Sequence, residues 1–406
     1  MVTQETQSQT ATGLRFASAL SRKTDTEAAV RDLADAVRMQ LGQGAIDLAF
    51  VFFSPHHVGK ADLVARMIRE ELSIEVCLGC SGEGVIADRE ELETAPALTL
   101  WVGCLPGVRL TPLQLSFSET QDQIKMPGWP DASAETSTFI LLADPFTTPI
   151  HDVLSVMADR YPNGQAVGGL AGGGRGPGDN RLVKNGSVFD GGVVGVQLSG
   201  PIAIRTVISQ GCCPIGERYV VTRAEQNMVF ELGGKPALAR LQEVFESLEG
   251  SRRDAHRVLH IGIAIDEHRS RFERGDFLVR NLVGADQKAG AIAIGDLVQE
   301  GQTVQFQLRD AKSASDDLHV LLAADRAKHR NPPLGALLFS CCGRGEGLFG
   351  HAHHDSMVVQ ERVGPIPVAG FFAQGEIGPV GGKNFLHGYT ASVALFSRLD
   401  ESKDDR

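Results

Sequence analysis

Ser340-Cys341-Cys342-Gly343-Arg344-Gly345-Glu346-Gly347 is the densest chemical cluster in the chain. A thiol at a strand exit beside a guanidinium can have a lowered pKa and act as a nucleophile, with His387 or His351 as a distant partner. The same residues also fit a buried packing thiol next to an arginine that recognises an anion. Arg344 suits that second role because its planar fork takes a carboxylate through two contacts. Glu83 and Glu376 sit inside or just beyond glycine turns, where a carboxylate can receive an amine or cap backbone N–H groups. Asp144, at a strand end before Pro145, reads as an Asx-turn residue with the same ligand-binding alternative. His351-Ala352-His353-His354-Asp355 has the donor types of a zinc or iron site, yet no second paired motif accompanies it, so it reads as a solvated loop. Cys77 and Cys80 lack a partner pair, and Cys77 falls inside an apolar run, which argues against both zinc and thioredoxin-like chemistry.

The elements that must position these groups alternate between strand and helix. Thr24-Asp25-Thr26-Glu27 offers a capping box, followed by Val30, Leu33, Val37 and Leu41 on one helical face. Leu48 to Phe53 reads as a buried strand, and a second helix places Leu63, Val64, Met67, Ile68 and Leu72 inward. Ile74 to Leu78 is a strand leading into Gly79-Cys80-Ser81-Gly82-Glu83-Gly84. The same β-α-β pattern recurs from Phe139 into the exit Gly169 to Gly174, and from Ala336 into the exit Gly370 to Gly375. All three exits share a G-x-x-x-x-G spacing, which we read as internal repetition of one module.

Between the second and third copies, Leu182 to Phe189 reads as a hairpin with an Asn185-Gly186 type I′ turn. Val193 to Leu198 and Ile202 to Ile208 read as a second hairpin across Ser199-Gly200. A helix follows Pro236, then strands over Leu259 to Ile265, Phe277 to Asn281, Ala291 to Ile294 and Val304 to Leu308, and a helix around Leu318 to Ala324. The expected class is α/β: two domains of β-α-β units with mixed sheets and antiparallel hairpins, and a cleft between them. The expected divisions are a disordered tail over 1–13, domains over 14–221 and 222–397, and an acidic tail over 398–406.

Composition removes several functions. With 39 Lys and Arg against 50 Asp and Glu, the net charge is −11, which disfavours nucleic acid or an anionic membrane surface as the main partner. No apolar run is long enough to span a bilayer, and residues 1–12 lack the basic-then-apolar pattern of a secretory signal. Seven cysteines without such a signal point to a reducing, cytoplasmic compartment. None of the glycine exits continues into Lys-Ser or Lys-Thr, and none has the dinucleotide-binding spacing, so no nucleotide cofactor is expected.

The exit Gly79-Cys80-Ser81-Gly82-Glu83-Gly84, the segment Phe339-Ser340-Cys341-Cys342-Gly343-Arg344-Gly345 and the run from Gly370 through Gln374-Gly375-Glu376-Ile377-Gly378-Pro379, Asn384, His387 and Thr390 resemble the FIST family. The resemblance spans about Leu14 to Phe396. It implies an N-terminal and a C-terminal FIST domain forming an intracellular sensory module for small ligands, with amino acids as the suggested class. Such modules are often fused to a signalling output or an F-box. The chain shows neither, so a separate signalling protein is the expected partner. The resemblance implies no catalytic residues, cofactor or metal. The expected ligand-binding residues are Cys80, Ser81, Glu83, Asp144, Cys341, Arg344, Glu376, Asn384 and His387. The alternatives are a thiol- or metal-dependent enzyme centred on Cys341 and Cys342 with a histidine partner, and a non-catalytic interaction scaffold.

Overall fold

The computed structural model of the chain describes residues 13–42, 44–120, 123–132, 135–248, 259–267, 272 and 275–399. The expected N-terminal tail and most of the acidic C-terminal tail lie outside the described residues. Three six-stranded sheets share one plan. In the first, Arg15–Ser21, Leu98–Cys104, Leu48–Phe53 and Val76–Ser81 lie side by side, the last pair parallel. The second repeats this with Arg109–Leu115, Val193–Ser199, Ser137–Ala143 and Gly164–Leu170. The third does so with Ala203–Ser209, Ala391–Ser397, Gly335–Cys341 and Val368–Ala373.

Each sheet is completed by a hairpin from a different module. Val85–Ala87 and Glu90–Leu92 follow the first module's exit but join the third sheet. Leu182–Lys184 and Ser187–Phe189 follow the second exit and join the first sheet. Glu376–Val380 and Lys383–His387 follow the third exit and join the second sheet. The exchange is therefore a closed three-way ring. It fills the open edge that each parallel strand would otherwise present.

Alternation along the central strands builds two kinds of core. Phe50 and Phe52, Ile140 and Leu142, and Leu337 and Phe339 point to a shared centre with Trp101, Phe371 and Phe396. The intervening residues face helices: Ala49, Val51 and Phe53 meet Thr26–Leu41 and Ala61–Leu72. Phe139, Leu141 and Ala143 meet Ile150–Arg160, and Ala336 and Leu338 meet Ala311–Lys328 and His354–Val363. Burial on both faces explains why these strands read as continuous apolar runs.

A seven-stranded sheet interrupts the third module between Ala203–Ser209 and the helix Ala311–Lys328. It runs from Cys212–Glu225 to Thr303–Arg309 and has its own core of Val221, Ile261, Ile263, Val304 and Phe306 against Ala237–Ser247. Val221, where the domain division is expected, lies inside the strand Cys212–Glu225.

Several local expectations change. Val193–Ser199 and Ala203–Ser209 are not a hairpin: the first pairs with strands of the second sheet and the second with Ala391–Ser397 of the third. Val193–Ser199 lies between two strands of the second sheet and Ala203–Ser209 at the edge of the third, so Ser199-Gly200 is a crossing between sheets. The first helix is capped by Asp25, whose carboxylate accepts from Ala28 N, not by Thr24. The hairpin at Asn185-Gly186 has positive φ at both turn residues, 50° and 86°, as a type I′ turn requires.

The three parallel pairs share one steric requirement. A Cβ on Gly79, Gly168 or Gly370 would overlap the backbone carbonyl of the facing Val51, Leu141 or Leu338. Gly370→Ala is therefore expected to cost about 1–3 kcal/mol, as overpacking a tight interior does. Urea unfolding would show a lowered midpoint with an unchanged slope; a wild-type midpoint would refute the close-approach account.

Candidate functional site

The three glycine exits converge at the centre of the ring. Glu83 N donates to Phe372 O (3.1 Å), Gly172 N to Ser81 O (3.0 Å) and Gln374 N to Leu170 O (3.1 Å). Each exit thus bonds to the next module. These amides were expected to face a ligand; they are spent on one another, because buried backbone donors must be paired.

The polar cluster lies to one side of that centre, where the third sheet ends against the inserted sheet. Cys341 N donates to Thr390 O (2.9 Å), Cys342 N to Ala373 O (2.9 Å) and Arg344 N to Cys341 O (2.8 Å), which turns the chain sharply and drives Arg344 inward. Arg344 is 1% exposed. Its Nε donates to Asp355 Oδ2 (2.7 Å) and its Nη2 to Asp355 Oδ1 (2.8 Å), while Nη1 reaches Tyr389 O (3.4 Å). Asp355 also accepts from Ser340 Oγ (2.7 Å) and lies 3.0 Å from His354 Nδ1. Burial opposes its ionisation, but the Arg344 guanidinium outweighs that and holds the carboxyl well below its ordinary value. The fork of Arg344, expected to take a ligand carboxylate, is therefore filled by Asp355. His354 and Asp355 begin the helix His354–Val363 as buried residues, which corrects the solvated-loop reading for those two, whereas His351 and Ala352 are exposed in a loop as expected.

Glu376 is fully buried; its Oε2 accepts from Thr390 N (3.0 Å), and its Oε1 has no partner. Burial, then the neighbouring Cys341, pushes its pKa well above the usual carboxylate range. Cys341 is buried and Cys342 exposed, with the exposed Glu83 near Cys342. His387 lies opposite Glu376 in the hairpin register, and its Nε2 donates to Gly378 O (3.0 Å). Its Nδ1 is unpartnered, and burial lowers its pKa to about 4, so the ring is neutral near pH 7.

The other expected residues are elsewhere. Cys80 packs in the central core. Ser81 Oγ bonds to Asn180 Oδ1 (3.4 Å), and Asn180 Nδ2 donates to Asp144 Oδ1 (3.0 Å). Asp144 Oδ2 accepts from Phe146 N, Thr147 N and Thr147 Oγ1, so its carboxylate is used by the turn. Asn384 bridges Ala166 N (2.8 Å) and Gly164 O (3.0 Å) at the start of Gly164–Leu170. That end of the strand is roughly 20 Å from the exit, at ~3.3 Å per residue.

Arg309 is the residue that sequence reasoning missed. It ends the inserted strand Thr303–Arg309 and is 8% exposed. Its guanidinium stacks 4.2 Å from the Tyr389 ring centroid, its Nη2 donates to Gly343 O, and its Nε has no partner. Among the described residues no carboxylate pairs with it. Burial, then the nearby charge of Arg344, pulls its pKa down. His260, on the adjacent strand Leu259–Ala264 opposite Gln307, lies 5.0 Å from the Tyr389 centroid, with neither ring nitrogen partnered. Burial, then Arg309, lowers its pKa to about 4. Tyr389 holds a left-handed φ of 61°, a strained value for a non-glycine residue. The available signal was the alternation of Val304, Phe306 and Leu308 with Gln305, Gln307 and Arg309. It marks a two-faced strand, but the polar face reads as solvent-exposed until the third module is seen to cover Gln307 and Arg309.

His351, His353 and His354 line an open hollow of about 630 Å³ with Phe349 and His319. Among the described residues no group of three or more His, Cys, Asp or Glu converges as metal ligands.

Two measurements check the electrostatics. Asp355→Asn strands Arg344 without its counter-charge and is expected to cost about 3–5 kcal/mol in urea unfolding. Glu91 accepts from Ser356 N (2.6 Å) with its other oxygen unpartnered; burial, then Asp355, pushes its pKa up to about 8. Its folded value lies above the unfolded one, so its contribution is complete below about pH 4 and is lost as pH rises to about 8. Glu91→Gln should gain stability over wild type progressively across that window; parallel pH profiles of the two proteins would contradict this.

Comparison with known proteins agrees with the shared plan. Residues 47–235 match the FIST N domain and residues 237–379 the FIST C domain. The uncharacterized protein MT0656 of Mycobacterium tuberculosis is 39% identical over 384 residues, covering 94% of this chain and 100% of the relative. The uncharacterized protein Mb0898c of Mycobacterium bovis is 39% identical over 386 residues, covering 94% of this chain and 99% of the relative. With both domain types matched in order along most of its length, this chain belongs to the FIST family.

Proposed function

We propose that the chain is a small-ligand sensor whose ligand is an amino-acid-like anion held where the inserted sheet meets the third module. FIST domains are sensory domains that bind small ligands, which supports the general role. The observation that carries the specific reading is Arg309, a buried guanidinium with an unpartnered Nε and no carboxylate among the described residues. Arginine is rarely buried without a counter-charge, because desolvating the cation is costly. A ligand carboxylate supplies that charge. Glu376 Oε1 receives the ligand's ammonium group, whose charge favours the ionised form of the buried carboxyl. Tyr389 and His260 flank Arg309, and Glu83 stands on the exposed side near Cys342.

Arg309 and His260 belong to the inserted sheet, whereas Glu376 and Tyr389 belong to the third module. A ligand touching both sides favours whichever spacing of the two bodies gives it better contacts, and the signal is that difference in affinity. A separate protein partner reads the favoured spacing.

Isothermal titration with a panel of amino acids and small carboxylates tests the reading. At least one is expected to bind with millimolar affinity or better. Arg309→Gln should weaken it roughly 10- to 150-fold, the worth of about 1.5–3 kcal/mol for a charged hydrogen bond. An inert panel, or a ligand whose affinity is unchanged by Arg309→Gln, would remove the proposal.

A further inference from the structure

We propose that Cys341 and Cys342 form a redox-active dithiol that exchanges with small disulfides, with Cys342 attacking, Cys341 resolving and Glu376 accepting the resolving proton. The activity goes beyond ligand sensing and does not require a bound ligand. Three features of the geometry carry it. Of the seven cysteines Cys342 alone is exposed; Cys213 is half-buried and the rest are buried. Cys341 and Glu376 are tied to the same residue, since Cys341 N donates to Thr390 O (2.9 Å) and Thr390 N donates to Glu376 Oε2 (3.0 Å). Glu376 is fully buried and its Oε1 has no partner, so its ionised form is a free proton acceptor near a buried thiol.

The local charges divide the roles in the same way. A hydrogen bond from Cys341 draws the Cys342 pKa down, against burial and the charges of Glu83 and Glu376. The same hydrogen bond, then burial, pushes Cys341 up, although Gly343 N donates to its Sγ at 3.4 Å. Deprotonation thus favours the exposed sulfur over the buried one, and the exposed sulfur is the one an incoming disulfide can reach. Burial raises the proton affinity of Glu376 toward that of a thiol, which makes transfer from Cys341 less uphill.

The steps balance. The Cys342 thiolate attacks one sulfur of the external disulfide, whose S–S bond breaks to release one thiolate and leave a mixed disulfide on Cys342. In chains whose Glu376 is ionised, Cys341 gives its proton to Glu376 Oε1, and its sulfur attacks Cys342 Sγ. The mixed disulfide breaks, the second thiolate leaves, and Cys341 and Cys342 are joined. The protein dithiol has lost two electrons and the external disulfide has gained them. Neighbouring Cα atoms stand ~3.8 Å apart, closer than the roughly 4.4–6.8 Å usual for bridged cysteines, so the ring is strained and excess monothiol reopens it.

The test uses reduced, folded, full-length protein and an aromatic bis(nitrobenzoate) disulfide whose released thiolate is coloured. Wild type is expected to release two thiolates per chain in its fast phase. The peptide holding Cys341 and Cys342 should then carry an internal disulfide and no aryl group, and 2-mercaptoethanol should restore both thiols. Cys341→Ser should stop after one release with the aryl group retained on Cys342, and Cys342→Ser should lose the fast phase. Glu376→Gln should keep the first release and slow the second roughly a hundredfold, with partial recovery in Glu376→Asp. A wild-type peptide bearing aryl adducts without the internal disulfide, or a fast phase that maps to Cys213, would overturn the assignment.

Discussion

Each module of this protein ends its parallel strand pair with an unpaired edge, and another module's hairpin must fill it. Backbone N–H and C=O groups buried without partners are costly, so the exchange is a structural obligation. It joins Val85–Ala87 to the third sheet, Leu182–Lys184 to the first and Glu376–Val380 to the second. The same direction is repeated at the glycine exits, where Glu83, Gly172 and Gln374 each donate to the next module. The aromatic centre of Phe52, Phe339 and Phe371 then seals the ring, with Phe52 and Phe371 centroids 5.0 Å apart.

That arrangement explains why the site is off-centre. The converging turns spend the Glu83, Gly172 and Gln374 amides on one another, and the middle is apolar. Chemistry collects where the ring is interrupted, at the junction of the inserted sheet with the end of Gly335–Cys341. Two buried arginines stand there under opposite conditions. Arg344 has a two-contact carboxylate, a backbone carbonyl and the Phe349 ring, whose centroid is 5.3 Å away, so it organises the turn that carries Cys341 and Cys342. Arg309 has an aromatic face and one carbonyl, and its charge is not matched by a carboxylate among the described residues. A cation whose charge is answered locally stabilises the fold; one left unanswered is available to a ligand.

The sequence alone carried much of the local structure. The Asn185-Gly186 turn, the helix after Asp25 and the buried strand Leu48–Phe53 all follow from short-range preferences: φ tolerance, capping and apolar run length. The three similar glycine exits were visible in the spacing, but strand pairing aligns Gly168, not Gly169, with Gly79 and Gly370, so the second copy was read one residue out of register. Less was visible where an element's identity depends on distant partners. Arg15–Ser21, Leu98–Cys104 and Arg109–Leu115 were missed, and Val193–Ser199 was assigned to the wrong neighbour, since pairing is not written in a strand's own residues.

The candidate site divides along the same line. Residue types and spacing singled out Cys341, Cys342, Arg344 and Glu376 as candidates, because thiols, a guanidinium and a carboxylate beside glycine turns are unusual wherever they lie. Which of them is free was decided by the tertiary structure. Asp355 occupies Arg344, the turn after Ala143 occupies Asp144, and Asn384 is taken by the backbone of Gly164–Leu170. Arg309 and His260 became candidates when a face of the inserted sheet that looks solvated in sequence was buried against the third module. The physical reason is that reactivity and charge availability depend on desolvation and on which neighbours have already been satisfied, and both are properties of the packed molecule.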